Sequence, residues 1–164
     1  APRIEVDESL PPHDSPPEAS RAAPRGDDLA SSATPDAAAL TGTWAGTYFY
    51  TMATSAGASV GSVAFFAELT IDAGRMTGSV VEPNTIGDRS TSELRASIAG
   101  SIAEDGLVRF VKTYDGTGGI DHSVEYVGRL DPVTQQIEGV WKVTGSEGRF
   151  VMRRHHRMPE LAHL

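Results

Sequence analysis

The stretch Val63-Ala64-Phe65-Phe66-Ala67-Glu68-Leu69-Thr70-Ile71-Asp72-Ala73-Gly74-Arg75-Met76-Thr77-Gly78-Ser79-Val80 carries the signal from which the fold is read. Val63, Phe65, Ala67, Leu69 and Ile71 occupy every second position, and Met76, Gly78 and Val80 resume the alternation beyond Asp72-Ala73-Gly74. A period of two sends such residues to one face of a strand, and a short turn ending in glycine joins two strands tightly. The segment therefore predicts a β-hairpin with one apolar face.

Working outward, eight runs with this character span 40–51, 61–72, 74–82, 93–102, 106–114, 121–131, 135–143 and 147–154. Glu104-Asp105-Gly106 and Asp131-Pro132-Val133-Thr134 carry further tight-turn chemistry. The one helical feature inside this region is a turn expected over Ser90–Arg95. Eight short strands joined by hairpins predict an all-β domain over 40–154, built as an eight-stranded antiparallel up-and-down barrel. A barrel is preferred to a sandwich because closure leaves no unpaired edge strand.

The flanks read differently. Residues 1–33 hold Pro2, Pro11, Pro12, Pro16, Pro17 and Pro24 among acidic, Ser and Ala residues. So little apolar surface cannot offset the entropy of ordering, and a flexible, disordered acidic tail is expected. Its best docking candidate for a protein partner is Ile4–Pro12. Thr34-Pro35-Asp36-Ala37-Ala38-Ala39 predicts a short helical turn with Thr34 as N-cap and Pro35 at the first helical position. Residues 155–164 read as a C-terminal tail, in which His155 and His156 are expected to be solvated rather than metal-binding.

Composition narrows the functional classes. The chain of 164 residues has no cysteine, so disulfides and thiolate metal sites are excluded. A net charge of −8 sets it against a phosphate backbone, and no nucleic-acid partner is expected. No run approaches the roughly 18 apolar residues of a membrane helix, so no transmembrane segment is expected and a soluble protein is. The compartment is left open and leans cytoplasmic.

Leu40-Thr41-Gly42-Thr43-Trp44 resembles the first strand of avidin and streptavidin and the Gly-x-Trp element of lipocalins. Ile137-Glu138-Gly139-Val140-Trp141 looks like the avidin strand that carries a ligand-contacting tryptophan. The resemblance implies a calycin-type eight-stranded barrel in which Trp44 packs across a closed end. It does not imply biotin binding: the avidin pattern places polar ureido contacts where this chain has Gly46 and Tyr50, and Gly148–Arg153 lacks its late Asp.

Alternation assigns Trp44, Gly46, Tyr48 and Tyr50 to the lumen, with Phe110, Lys112, Tyr114, His122, Val124, Tyr126 and Trp141 from later strands. Glu82 continues the inward series of the third strand. Interior glycines at 46, 78, 100, 128 and 139 mark bends or close backbone approach, or else leave room for a cavity. Connections 2–3, 4–5 and 6–7 are tight and gather Trp44, Ile71, Met76, Ile102, Val108, Leu130, Ile137 and Met152 into an apolar plug. Connections 52–60, 83–92 and 115–120 are longer and lie at the opposite end, which is expected to be the mouth.

Polar groups at the mouth of an apolar barrel fit the anatomy of a ligand site. The expected ligand-binding set is Tyr48, Tyr50, Glu82, Phe110, Lys112, Tyr114, His122, Tyr126 and Trp141, taking a small apolar or weakly anionic ligand without catalysis, cofactor or metal. An interaction or assembly subunit with a filled barrel, docking a partner through 1–33, is the alternative. A catalytic version would use Glu82 as base, Lys112 or His122 as acid, and Tyr50 or Tyr114 as hydrogen-bond donors, but no nucleophile motif supports it. Gly116-Thr117-Gly118-Gly119 joins two strands and reads as a hairpin loop, not a phosphate cradle.

Overall fold

The computed structural model describes residues 37–156; the expectations for the 1–33 tail, the Thr34 cap, Pro35 and the chain after 156 lie outside the described residues. A four-residue helix, α1 (Ala37–Leu40), leads into β1 (Gly42–Thr54), β2 (Gly57–Asp72), β3 (Arg75–Pro83) and β4 (Glu93–Ile102). β5 (Leu107–Tyr114), β6 (Ser123–Asp131), β7 (Gln136–Val143) and β8 (Ser146–Arg154) follow. Each strand pairs antiparallel with its neighbour in sequence, and β1 pairs with β8 to close the barrel. This up-and-down closed sheet is the expected fold, and its architecture is consistent with the calycin type. Among the described residues no helix is long and apolar enough to cross a membrane.

The closed end is built as the alternation requires. Trp44, Met76, Val108, Ile137 and Met152 are fully buried there, and only Ile102 of the expected plug is half-buried. The Trp44 indole N–H donates to the Leu40 carbonyl at 2.9 Å, which ties α1 over the end of the barrel. The Arg154 guanidinium donates to the Thr41 carbonyl at 2.9 and 3.2 Å, fastening the last strand to the first. Each bond satisfies a carbonyl that the ladder leaves without a partner.

Four details differ from the sequence expectation. The helical turn falls at Ala37–Leu40, so Leu40 belongs to α1 and β1 begins at Gly42. The Ser90–Arg95 helical turn is absent: a turn at Arg89 and Ser90 gives way to a bend at Ser92, and Arg95 lies within β4, paired with Val81. The connection expected over 52–60 is a two-residue turn, Ser55-Ala56, because Thr51–Thr54 and Gly57–Val60 continue the ladder as a projecting ribbon. Small and hydroxylated residues there resemble a loop by composition, yet the ladder needs only backbone groups. Finally, β6 starts at Ser123, which leaves His122 outside the strand and exposed.

The interior glycines resolve into close approach. At Gly46 a Cβ would lie 2.2 Å from the Phe65 ring, which covers the glycine from the paired position on β2. At Gly139 a Cβ would lie 2.0 Å from the Val127 carbonyl and 2.5 Å from the Gly128 Cα, so β6 and β7 meet backbone to backbone. These glycines allow the wall to bend and leave the lower barrel filled. Gly139→Ala is expected to destabilise the protein by about 3 kcal/mol or more, because the obstructing atoms are backbone and cannot repack. The midpoint of urea unfolding measures it, and an unchanged midpoint would refute the close-approach account.

Candidate functional site

At the end opposite the plug, the lumen opens into a cavity of about 360 Å³. Tyr48 and Tyr50 from β1, Lys112 and Tyr114 from β5, His122 at the rim, Tyr126 from β6 and Trp141 from β7 all line it. The structure thus brings together seven of the nine expected residues. Phe110 does not line the cavity; it lies deeper, stacked on Tyr126 at 4.6 Å between ring centroids, and forms part of the packing beneath. Glu82 does not line it either, and stands behind Lys112. Alternation sorts residues by face but neither by depth, which sets Phe110 apart, nor by partner, which sets Glu82 apart.

Met52, Thr85, Ile86 and Ser146 also line the cavity, with Val63, Val124 and Val143. The three valines were legible as inward-facing. Met52 continues the even-numbered inward series of β1 and would have been found had the strand been extended past Thr51. No periodic signal marks Thr85 and Ile86, which belong to a loop.

That loop has its own frame. The chain's one asparagine, Asn84, donates through its amide to the Asp88 and Thr91 carbonyls at 2.6 and 2.9 Å, and its Oδ1 accepts the Gly87 N–H at 2.7 Å. The Asp88 N–H donates to the Gly118 carbonyl at 2.8 Å, joining the 84–92 loop to the loop after β5. Hydrogen bonds from Ser90 hold the Asp88 carboxyl below its ordinary range, and those from Thr117 do the same for Asp115. The rim is therefore braced by its own short-range bonds.

Trp141 supports the wall from inside. β1 and β8 pair only from Trp44–Tyr48 against Phe150–Arg154, and beyond Tyr48 the seam separates. The Trp141 indole crosses Gly148, its partner on β8, and donates to the Phe49 carbonyl of β1 at 2.8 Å. A Cβ at 148 would lie 2.2 Å from that carbonyl oxygen and 2.6 Å from the indole. Glycine is required here because a side chain passes over it.

Beneath the cavity lies a buried ion pair. Lys112 Nζ donates to Glu82 Oε1 at 3.1 Å across the lumen side of β4, with Lys112 3% and Glu82 2% exposed. The ammonium lies 4.7, 4.6 and 5.6 Å from the ring centroids of Tyr48, Tyr114 and Tyr126. Desolvated cation–π contacts are worth about 2 kcal/mol or more and complement the single carboxylate. Burial nonetheless outweighs the Glu82 charge and lowers the Lys112 pKa. The three tyrosine hydroxyls are all held above their ordinary range, first by burial and then by the Glu82 carboxylate. Glu82 Oε2 accepts no hydrogen bond among the described residues.

Among the described residues no three His, Cys, Asp or Glu side chains come together as a metal site. The chain matches no protein-family model, no curated protein and no solved structure.

Two predictions follow from the pair and its cage. Lys112→Met is expected to cost about 3–5 kcal/mol, because it strands a buried carboxylate, whereas Lys112→Met with Glu82→Gln recovers most of that loss. Denaturant unfolding of both variants decides it; equal stability of the two would refute the pairing. Three of the chain's four tyrosines have raised folded-state pKa values, so they keep protons that the unfolded chain releases from about pH 10 upward. Stability from these groups is therefore complete below pH 10 and falls above it. The lowered Lys112 pKa acts in the opposite sense, and only up to about pH 10.4. The tyrosinate absorbance of these three residues should accordingly rise in one cooperative step with unfolding, and their gradual titration near pH 10 in the folded protein would contradict the burial described.

Proposed function

We propose that this barrel is a non-catalytic small-molecule-binding protein of avidin-like or lipocalin-like kind, whose ligand enters at the end framed by the 84–92 and 115–122 loops and the β1–β2 ribbon. The observation that carries the reading is the cavity of about 360 Å³ lined in part by a buried lysine whose charge Glu82 balances. That volume suits a ligand of about ten to fifteen heavy atoms, within the usual range of small-molecule pockets. The lining is mostly aromatic and aliphatic, which favours an apolar body.

The charge balance refines the head group. Glu82 already neutralises Lys112, so an ionised carboxylate entering the cavity would be an uncompensated buried charge. A neutral carbonyl or hydroxyl is the better fit, since Lys112 Nζ has further N–H donors and the tyrosines supply O–H groups.

Titration with 1-octanol and with octanoate tests the reading, followed through the fluorescence of Trp141. A saturable change is expected for octanol, with octanoate at least about tenfold weaker, a difference of about 1.4 kcal/mol. Val63→Phe, which fills the cavity without touching a polar group, is expected to abolish the response. No saturable change with either probe, together with bare protein masses in native mass spectrometry, would refute the pocket.

A second reading, an interaction or assembly subunit, draws on the outer wall, where Val60, Phe66 and Val140 are all more than half exposed. Light scattering across a concentration series distinguishes it from a monomeric binder.

A further inference from the structure

The chain has two lysines, Lys112 inside the barrel and Lys142 on its outer face, and arginine at its other cationic positions. Arginine cannot lose its proton in a protein, whereas a desolvated lysine can become a neutral amine. The one cationic side chain of the lumen is thus of the type that can act as a nucleophile, and it lines the cavity, its nitrogen 4.7 and 4.6 Å from the ring centroids of Tyr48 and Tyr114, which line it too.

The surroundings supply what carbonyl capture needs. Glu82 Oε1 lies 3.1 Å from Nζ, within direct proton-transfer distance. Three tyrosine rings hold a cation at that position. Val63, Val124 and Val143 offer an apolar wall for the remainder of a ligand. Lys112 itself is only 3% exposed, which limits the water that would otherwise hydrolyse the product.

We propose that Lys112 captures an aldehyde or ketone ligand as a covalent imine, with Glu82 moving the proton; the inference rests on the pocket reading above and names its ligand class. The ammonium first passes its proton to the Glu82 carboxylate, leaving a neutral amine. The nitrogen lone pair attacks the carbonyl carbon, the C=O π pair moves to oxygen, and a proton shifts from nitrogen to oxygen to give the carbinolamine. Glu82 then returns its proton to the carbinolamine hydroxyl, the C–O bond breaks, water leaves and the C=N bond forms. The sum is ammonium plus carbonyl giving protonated imine plus water, with no oxidant or reductant. The iminium remains where the ammonium was, beside the regenerated Glu82 carboxylate and among the Tyr48, Tyr114 and Tyr126 rings. Burial that lowers the Lys112 pKa makes the neutral amine easier to reach.

The experiment treats the full chain with octanal and sodium cyanoborohydride at pH 7, then maps the reduced adducts by peptide mass spectrometry. Lys112 is expected to be alkylated at least about tenfold faster than Lys142, because the Glu82 carboxylate 3.1 Å from its nitrogen takes up its proton. Glu82→Gln, which keeps the lysine but removes the proton carrier, is expected to slow labelling at 112 and leave Lys142 unchanged. A 1-octanol titration on the same preparation separates the two ideas. If octanol still gives a saturable Trp141 response while octanal labels Lys142 as fast as Lys112 or faster, the imine inference is overturned and the pocket stands. If the octanol response is also missing, both fall.

Discussion

Joining β1 to β8 over only five residue pairs removes the edges of the sheet, and that closure determines where every other side chain can go. A closed wall of eight short strands has a narrow lumen, so inward residues must either interdigitate or give way to backbone. Near α1 they interdigitate, around Trp44, Met76, Ile137 and Met152. Midway the wall bends at glycine pairs such as Gly128 opposite Gly139. Only past Phe110 and Tyr126 is space left, and there the barrel carries its polar groups.

Burying Glu82 and Lys112 together is costly, since removing each ion from water costs several kcal/mol and the attraction between them repays this only with good geometry. Here one hydrogen bond and three aromatic faces serve the ammonium, while one carboxylate oxygen is left without a donor. A well-packed apolar pair at 82 and 112 would fill the same space at no such cost. Retaining ions at that point is therefore a feature that stability alone does not explain, and it lies directly against the one cavity whose lining gathers the expected site.

Much of this is legible in the chain itself. Alternation from Val63 to Ile71 and its resumption at Met76 give the faces of β2 and β3, and the same rule places Tyr48, Lys112, Tyr126 and Trp141 inside. The remainder was hidden for physical reasons. Thr51–Val60 looks like a loop by composition, yet backbone pairing carries the ladder to Thr54 and Gly57, and Met52 is gained for the cavity with it. Period-two reasoning fixes the side of the sheet and not the height along it, so Phe110 is grouped with residues nearer the mouth, and Glu82 is grouped with the lining although it pairs with Lys112 and does not line the cavity. Thr85 and Ile86 reach the cavity because Asn84 folds the loop back, a tertiary effect that no repeat encodes.

Trp141 has two duties that cannot be varied separately. Its ring is part of the surface a guest would meet, and its N–H is the strut holding Phe49 across the parted seam. Enlarging the chamber by trimming this residue would at once release the wall, so diversification of ligand preference in such a scaffold is channelled toward positions 63, 124 and 143, whose aliphatic side chains make no hydrogen bond across the seam.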